Sequence, residues 1–138
     1  MSSLLYSRTS RYAFHLLGAL ANRRDERLSG EELARITGIP ANYLSKILNQ
    51  LRKHGFVDSR KGWGGGFRLH ETALQRPILE VLEVLEGPPS DLDSCAFGLP
   101  KCDPSHPCPL HDQWEQIRTA AHRMLAETRI ADLGFDTE

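Results

Sequence analysis

With 138 residues, 40% apolar and 25% charged side chains, the chain has the composition of an ordinary folded domain, which excludes a disordered or fibrous polymer. No stretch approaches the roughly 18 apolar residues of a membrane span, and Met1 to Tyr12 lacks a basic segment followed by a long apolar core, so a cytoplasmic location is expected. The net charge of −1 hides an asymmetry: residues 1–76 carry 13 Lys and Arg against 6 Asp and Glu, and residues 77–138 carry 4 against 12, as expected of a phosphate-facing lobe coupled to a different unit.

The first helix is predicted from about Ser10 to Arg24, where Ala13, Leu16, Leu17, Leu20 and Ala21 recur at helical spacing. Ser29 starts a second helix, with Glu32 completing a capping box and Gly38 as the stop signal; Leu33 and Ile36 are expected to face inward. Thr37 to Pro40 makes a tight turn, and Pro40 suits the first position of a third helix reaching His54. That helix carries two stripes. Leu44, Ile47, Leu48 and Leu51 must be buried, whereas Asn42, Ser45, Lys46 and Asn49 repeat the same spacing on another face and suit hydrogen bonding to base edges. Two helices joined by a short Gly-containing turn, the second polar on one side, form a helix-turn-helix pattern.

The next segment strengthens this reading. Gly55 ends the third helix, Phe56-Val57 begins a strand, and Phe67-Arg68-Leu69 returns after Gly62-Trp63-Gly64-Gly65-Gly66. Two short strands around a Gly-rich turn make a β-hairpin, which after a helix-turn-helix is a wing. Arg60, Lys61 and Arg68 supply cations for phosphates or the minor groove. A phosphate cradle for a nucleotide is excluded, because no Lys-Ser/Thr follows the glycines and they open a strand, not a helix.

A short helix follows from Pro77 to Glu86, stopped by Gly87-Pro88-Pro89. The three cysteines of the chain, Cys95, Cys102 and Cys108, then fall within one loop at about 90–108, and His111 lies three residues beyond the last. Thiolates and imidazole hold soft transition metals and iron–sulfur clusters, and clustered cysteines in a reducing compartment point to metal or redox chemistry. A last helix from about Pro109 to Thr128 places Leu110, Trp114, Ile117, Ala121 and Met124 alternately four and three residues apart, the seam of a packed helix pair. Either a second copy covers that seam or the helix folds back on its own domain; dimerisation is favoured, since helix-turn-helix proteins commonly read two half-sites through a twofold axis. Nothing informative is read in Asp132 to Glu138. The expected fold is mainly α with a small β-hairpin: a winged helix-turn-helix domain over 1–76, then a helix, the cysteine loop and a dimerisation helix over 77–138.

In this order, LSGEELARITGIPANYLSKILNQLRKHGFVDSRKGWGGGFRL, LEVLEVLEG and the cysteine loop before a long helix resemble the IscR/NsrR family of winged-helix transcription regulators over nearly the whole chain. The resemblance implies a homodimer with a long crossed helix, double-stranded operator DNA as partner, and a [2Fe–2S] or [4Fe–4S] cluster. By position, base reading falls on Asn42, Ser45 and Lys46, minor-groove entry on Lys61, and phosphate or sugar contacts on Tyr43 and Arg60. Trp63 stands where the family more commonly has proline. Six residues separate Cys95 from Cys102 and five separate Cys102 from Cys108, against five and five in the family. The family's cluster-biogenesis branch takes its fourth ligand from the position matching His111. The nitric-oxide-sensing branch uses an aspartate whose position here is Arg11, which cannot ligate a cation. The resemblance therefore implies Cys95, Cys102, Cys108 and His111 as ligands, with [2Fe–2S] preferred and His106 as second candidate.

The expected function is a transcription regulator whose DNA affinity changes with cluster state. Two alternatives keep the DNA-binding role: a structural zinc site of three cysteines and a histidine, although the loop lacks close Cys-x2-Cys pairs, and a metal-free switch based on reversible thiol oxidation. An enzyme is not expected, since paired carboxylates, a nucleophile with its base and a cofactor fingerprint are all missing. His15, His54, His70 and His122 read as structural or surface residues.

Overall fold

The structure, a computed structural model, describes residues 7–87 and 105–135. Helix α1 spans Arg8–Ala21, two residues earlier at its start than the apolar spacing suggests, because Ser7 caps it by accepting a hydrogen bond from the Ser10 amide. Helix α2 spans Gly30–Thr37, with Ser29 accepting from the Glu32 amide and Gly38 closing it at φ +74°. Helix α3 spans Ala41–Lys53, and Pro40 stands just outside it as the cap, with extended ψ, not as its first helical residue. The Gly38 conformation is the left-handed one that residues with a Cβ adopt only at a cost, and it sets the tight turn between α2 and α3.

Strands β1 (Val57–Arg60) and β2 (Gly66–Leu69) pair antiparallel, Val57 opposite Leu69 and Arg60 opposite Gly66. Leu28 bridges to β2 as well, through reciprocal backbone bonds with Phe67 of 2.9 and 2.7 Å. Gly66 permits this approach: a Cβ there would lie 2.7 Å from the Leu28 carbonyl oxygen. Helix α4 (Ile78–Glu86) and helix α5 (His111–Glu127) are the remaining α-helices among the described residues, and a short 3-10 turn, Ile130–Leu133, follows. The fold is thus mainly α with a two-stranded hairpin, as the sequence indicates.

Helix α1 is the hub, touching α2, α3, α4, β2 and the last 3-10 turn. Its Leu16, Leu17 and Leu20 are fully buried with Leu33, Leu48, Leu51, Phe56, Val81, Leu125 and Ile130. Each such side chain contributes about 1.5–3 kcal/mol of burial. The segments on either side of residue 76 share this core. A strap of backbone bonds reinforces it, Ile78 donating to Thr128, Ile130 to Arg76 and Ala131 to Leu74 at 2.9–3.0 Å.

Two expectations about packing are revised. Ile36, expected inside, is 40% exposed at the end of α2, where the short helix turns its last residues toward a surface groove. The α5 seam divides: Trp114 is buried and Ala121 joins the domain core, whereas Leu110, Ile117 and Met124 are exposed at seven-residue intervals. The C-terminal turn, unread in the sequence, docks on α1 at Gly18, where an added Cβ would meet the Leu133 carbonyl oxygen at 2.7 Å. Ala normally stabilises a helix interior by about 1 kcal/mol over Gly. Here the sign reverses: Gly18→Ala is expected to lower stability by about 1–3 kcal/mol through overpacking. Urea denaturation checks this, and a more stable variant would contradict the docked turn.

Candidate DNA interface and ligand loop

The two stripes of α3 separate as their spacing requires. Leu44, Ile47, Leu48 and Leu51 are buried, and Asn42, Tyr43, Ser45, Lys46 and Asn49 are exposed. Burial of the apolar stripe against α1 and α2 fixes the rotation of α3 and so presents the polar stripe outward. The helix contains no acidic residue and ends on Arg52 and Lys53, a charge distribution favourable to a phosphate backbone. Asn49 Oδ1 accepts from Arg52 Nη2 at 2.8 Å, which orients its amide with the NH2 group turned to donate elsewhere. Tyr43 meets Tyr12 of α1 edge to face, ring centroids 6.1 Å apart.

The hairpin follows α3 directly and is anchored to it through Phe56, which is fully buried. The Phe56 amide donates to the Leu51 carbonyl at 2.9 Å, and its carbonyl accepts from His70 at 3.0 Å. The Arg76 guanidinium lies 3.7 Å over its ring. Arg60 and Lys61 are exposed at the turn and form no ion pair with another described residue. Arg68 is exposed but leans on Asp58, 3.4 Å away, which also holds Arg27 at 3.1 Å.

Arg27 is the anchoring residue that sequence reading missed. Its guanidinium, largely buried, also donates to the carbonyls of Asp58 and Gly66 and so clamps both strands at the base of the wing. No local pattern announces it, since its partners lie 31 and 39 residues on. Burial of Asp58 disfavours its charge, but hydrogen bonds and charges from Arg27, and then Arg68, outweigh this and hold the carboxyl below its ordinary range. A depressed carboxyl stabilises the fold fully above the unfolded-chain value of about 4 and loses that contribution as pH falls through the native one. Asp58→Asn is therefore expected to cost about 1 kcal/mol or less at neutral pH, Asp58 being partly exposed. Acid titration of both proteins should show the gap closing below about pH 4; a gap constant with pH would rule out the ion pair as its source.

Cys95 and Cys102 lie outside the described residues. Cys108 and His111 are each half-buried at the start of α5, and the His111 amide donates to the Cys108 carbonyl at 3.0 Å. The turn thus holds two of the four expected ligands at the entrance of one helix. His106 is exposed, its ring nitrogen 3.2 Å from the Ser105 hydroxyl. No group of three metal-binding side chains occurs among the described residues, which include only two of the expected four.

These features have counterparts in known proteins. The model of the Rrf2 family, described as iron-dependent transcriptional regulator, matches residues 6–136. The chain belongs to the Rrf2 family. It is 33% identical over 132 residues to an HTH-type transcriptional regulator of Aquifex aeolicus, covering 94% of this chain and 91% of that one. Its fold matches CymR, the global cysteine regulator of B. subtilis, with a TM-score of 0.75 and 26% identity over 93% of this chain and 94% of that one. T. potens IscR matches in fold at TM-score 0.69 and 23% identity, over 92% and 83% of the two chains. Rrf2 proteins are DNA-binding transcription regulators, not enzymes, and the exposed α3 stripe and the wing are the elements of this chain suited to that role. No helix among the described residues is long and apolar enough to cross a membrane.

Proposed function

We propose that this Rrf2 protein is a cytoplasmic homodimer that reads a palindromic operator, and that an iron–sulfur cluster held by Cys95, Cys102, Cys108 and His111 sets its affinity for DNA. The observation that carries the reading is the turn joining Cys108 to His111 at the first residues of α5, a helix whose other end is buried in the shared core through Ala121 and Leu125. Three thiolates and one imidazole are a donor set for [2Fe–2S] iron, with [4Fe–4S] the less suited form, and histidine ligation raises the potential of such a centre.

Within the protein, Cys108 and His111 tie the loop to α5, and a tilt of α5 would pass through α4, which packs on both α5 and α1, to the helix on which α3 rests. Coupling of about 1–3 kcal/mol through this path changes DNA affinity roughly 5- to 150-fold. Asn42, Ser45, Lys46 and Asn49 read base edges, Tyr43, Arg60 and Arg68 hold phosphates or sugars, and Lys61 enters the minor groove. The exposed Leu110, Ile117 and Met124 support dimerisation, because one line of apolar residues at heptad spacing is what a second α5 would cover.

A regulator switched by thiol oxidation is the second reading, in line with the likeness to CymR, and a zinc-stabilised regulator is its variant on the same donors. Visible absorption with iron, acid-labile sulfide and zinc analysis separates the readings on protein purified without oxygen. Brown protein containing iron and sulfide supports the cluster. Protein that stays colourless after reconstitution with iron and sulfide contradicts it and leaves zinc or thiol chemistry.

A further inference from the structure

The wing carries one large side chain that its cations do not account for. Trp63 is 104% exposed, so its indole touches nothing among the described residues. It occupies the first central position of a β-turn in which the Gly65 amide donates to the Gly62 carbonyl at 3.0 Å. Gly62 and Gly64 on either side adopt φ of +90° and +73°. The turn is narrow and tightly closed: a Cβ on Gly65 would stand 2.3 Å from the Arg60 carbonyl oxygen. Behind it, the Leu28–Phe67 bridge and the Arg27 clamp fix the base of the hairpin. The indole is therefore held out at the tip of an anchored hairpin, next to Lys61 and close to Arg60. The other tryptophan, Trp114, is buried, as an indole ordinarily is in a folded domain.

We propose that Trp63 is a minor-groove wedge, its indole packing into a flexible base step at the edge of the operator while Lys61 enters the groove beside it and Arg60 holds the adjacent phosphate. This rests on the reading of the hairpin as a DNA-contacting wing. The chemistry suits the position. Glycine neighbours leave a profile thin enough for a narrow groove, the cations bring the tip to the backbone, and an apolar wedge that enters the groove partly unstacks a step and bends the duplex. Pyrimidine–purine steps open most readily, so such a wedge favours TA or CA/TG opposite the wing without a hydrogen bond to any base. Trp63 would thus set specificity, whereas Lys61 sets mainly ionic affinity.

The test uses the full chain in one cluster state and a short duplex recovered by selection from random-sequence DNA. The emission of Trp63, taken as the difference between wild type and Trp63→Phe, is expected to be quenched as the duplex is added. Trp63→Ala is expected to bind roughly 5- to 150-fold more weakly, the range of an aromatic–base contact, with the salt dependence unchanged because no phosphate contact is lost. Trp63→Phe should recover part of that loss. Lys61→Ala, in contrast, should reduce the slope of log affinity against log salt by about 1. Selection repeated with Trp63→Ala should no longer enrich pyrimidine–purine steps at the operator edge. Unchanged emission, with wild-type affinity and base preference in Trp63→Ala, would overturn the wedge and leave the wing as a purely ionic contact. Failure of the wild type to bind any duplex at low salt would overturn the DNA-binding reading and the wedge together.

Discussion

Phe56→Ala is expected to lower the folding stability by about 3–5 kcal/mol, the usual cost of emptying a fully enclosed aromatic site, against a total of about 5–15 kcal/mol for a domain of this kind. Phe56 is wholly buried at the junction of α3 and β1. Its amide and carbonyl tie it to Leu51 and His70, and Arg76 covers its ring. The backbone bonds survive the substitution, but the ring that spaces the recognition helix from the wing does not. Phe56→Leu, which refills most of the volume, should recover over half the loss. Urea denaturation gives the magnitude, and DNA affinity should fall in parallel, because helix and hairpin lose their common reference. Destabilisation of Phe56→Ala by less than about 1 kcal/mol would mean that the site collapses and that the ring is not the spacer.

The second large effect concerns the ligand turn. Cys108→Ala is expected to abolish the visible absorption of the anaerobic protein and to shift its DNA affinity to that of cluster-free protein, a change of roughly 5- to 150-fold. The fold should persist, since Cys108 is only half-buried and lies outside the core. His111→Ala should leave a more labile cluster, as three thiolates hold most of the iron. Retention of full colour by Cys108→Ala would remove this residue from the ligand set.

The helix-turn-helix was legible because its signals are local. Ser29 as cap, Gly38 at the stop, and the i, i+3, i+4, i+7 stripe of Leu44 to Leu51 each specify a backbone feature within a few residues, and the structure reproduces them; of the expected capping box it shows the half in which Ser29 accepts from the Glu32 amide. The hairpin was legible for the same reason. What escaped depends on partners distant in sequence. Arg27 clamps Asp58 and Gly66 across more than thirty residues. Ile36 satisfies a helical period yet sits at the end of an eight-residue helix, beyond the ground α1 covers. The docked turn at Ile130–Leu133 is fixed by partners far away in sequence, the close approach at Gly18 and backbone bonds to Leu74 and Arg76.

The site was legible unevenly, for the same physical reason. The polar face of α3 follows from burial of the opposite face, so Asn42, Ser45, Lys46 and Asn49 were identifiable as exposed before any coordinates. The seam of α5 had two candidate partners, and the structure gives Ala121 to its own domain while leaving Leu110, Ile117 and Met124 at the surface. Spacing alone does not divide a stripe in this way, because the division depends on how far the domain core extends along the helix. Of the ligand set, the turn linking Cys108 to His111 is described, and Cys95 and Cys102 lie beyond the described residues.

The most direct test of the account is a DNA titration of one anaerobic preparation, measured before and after its iron is removed by chelation, at fixed salt. Cluster control predicts affinities that differ roughly 5- to 150-fold between the two states, each falling steeply as salt rises. Equal affinities in the two states, at every salt concentration, would contradict cluster control and leave a DNA-binding Rrf2 protein that takes its signal by other means.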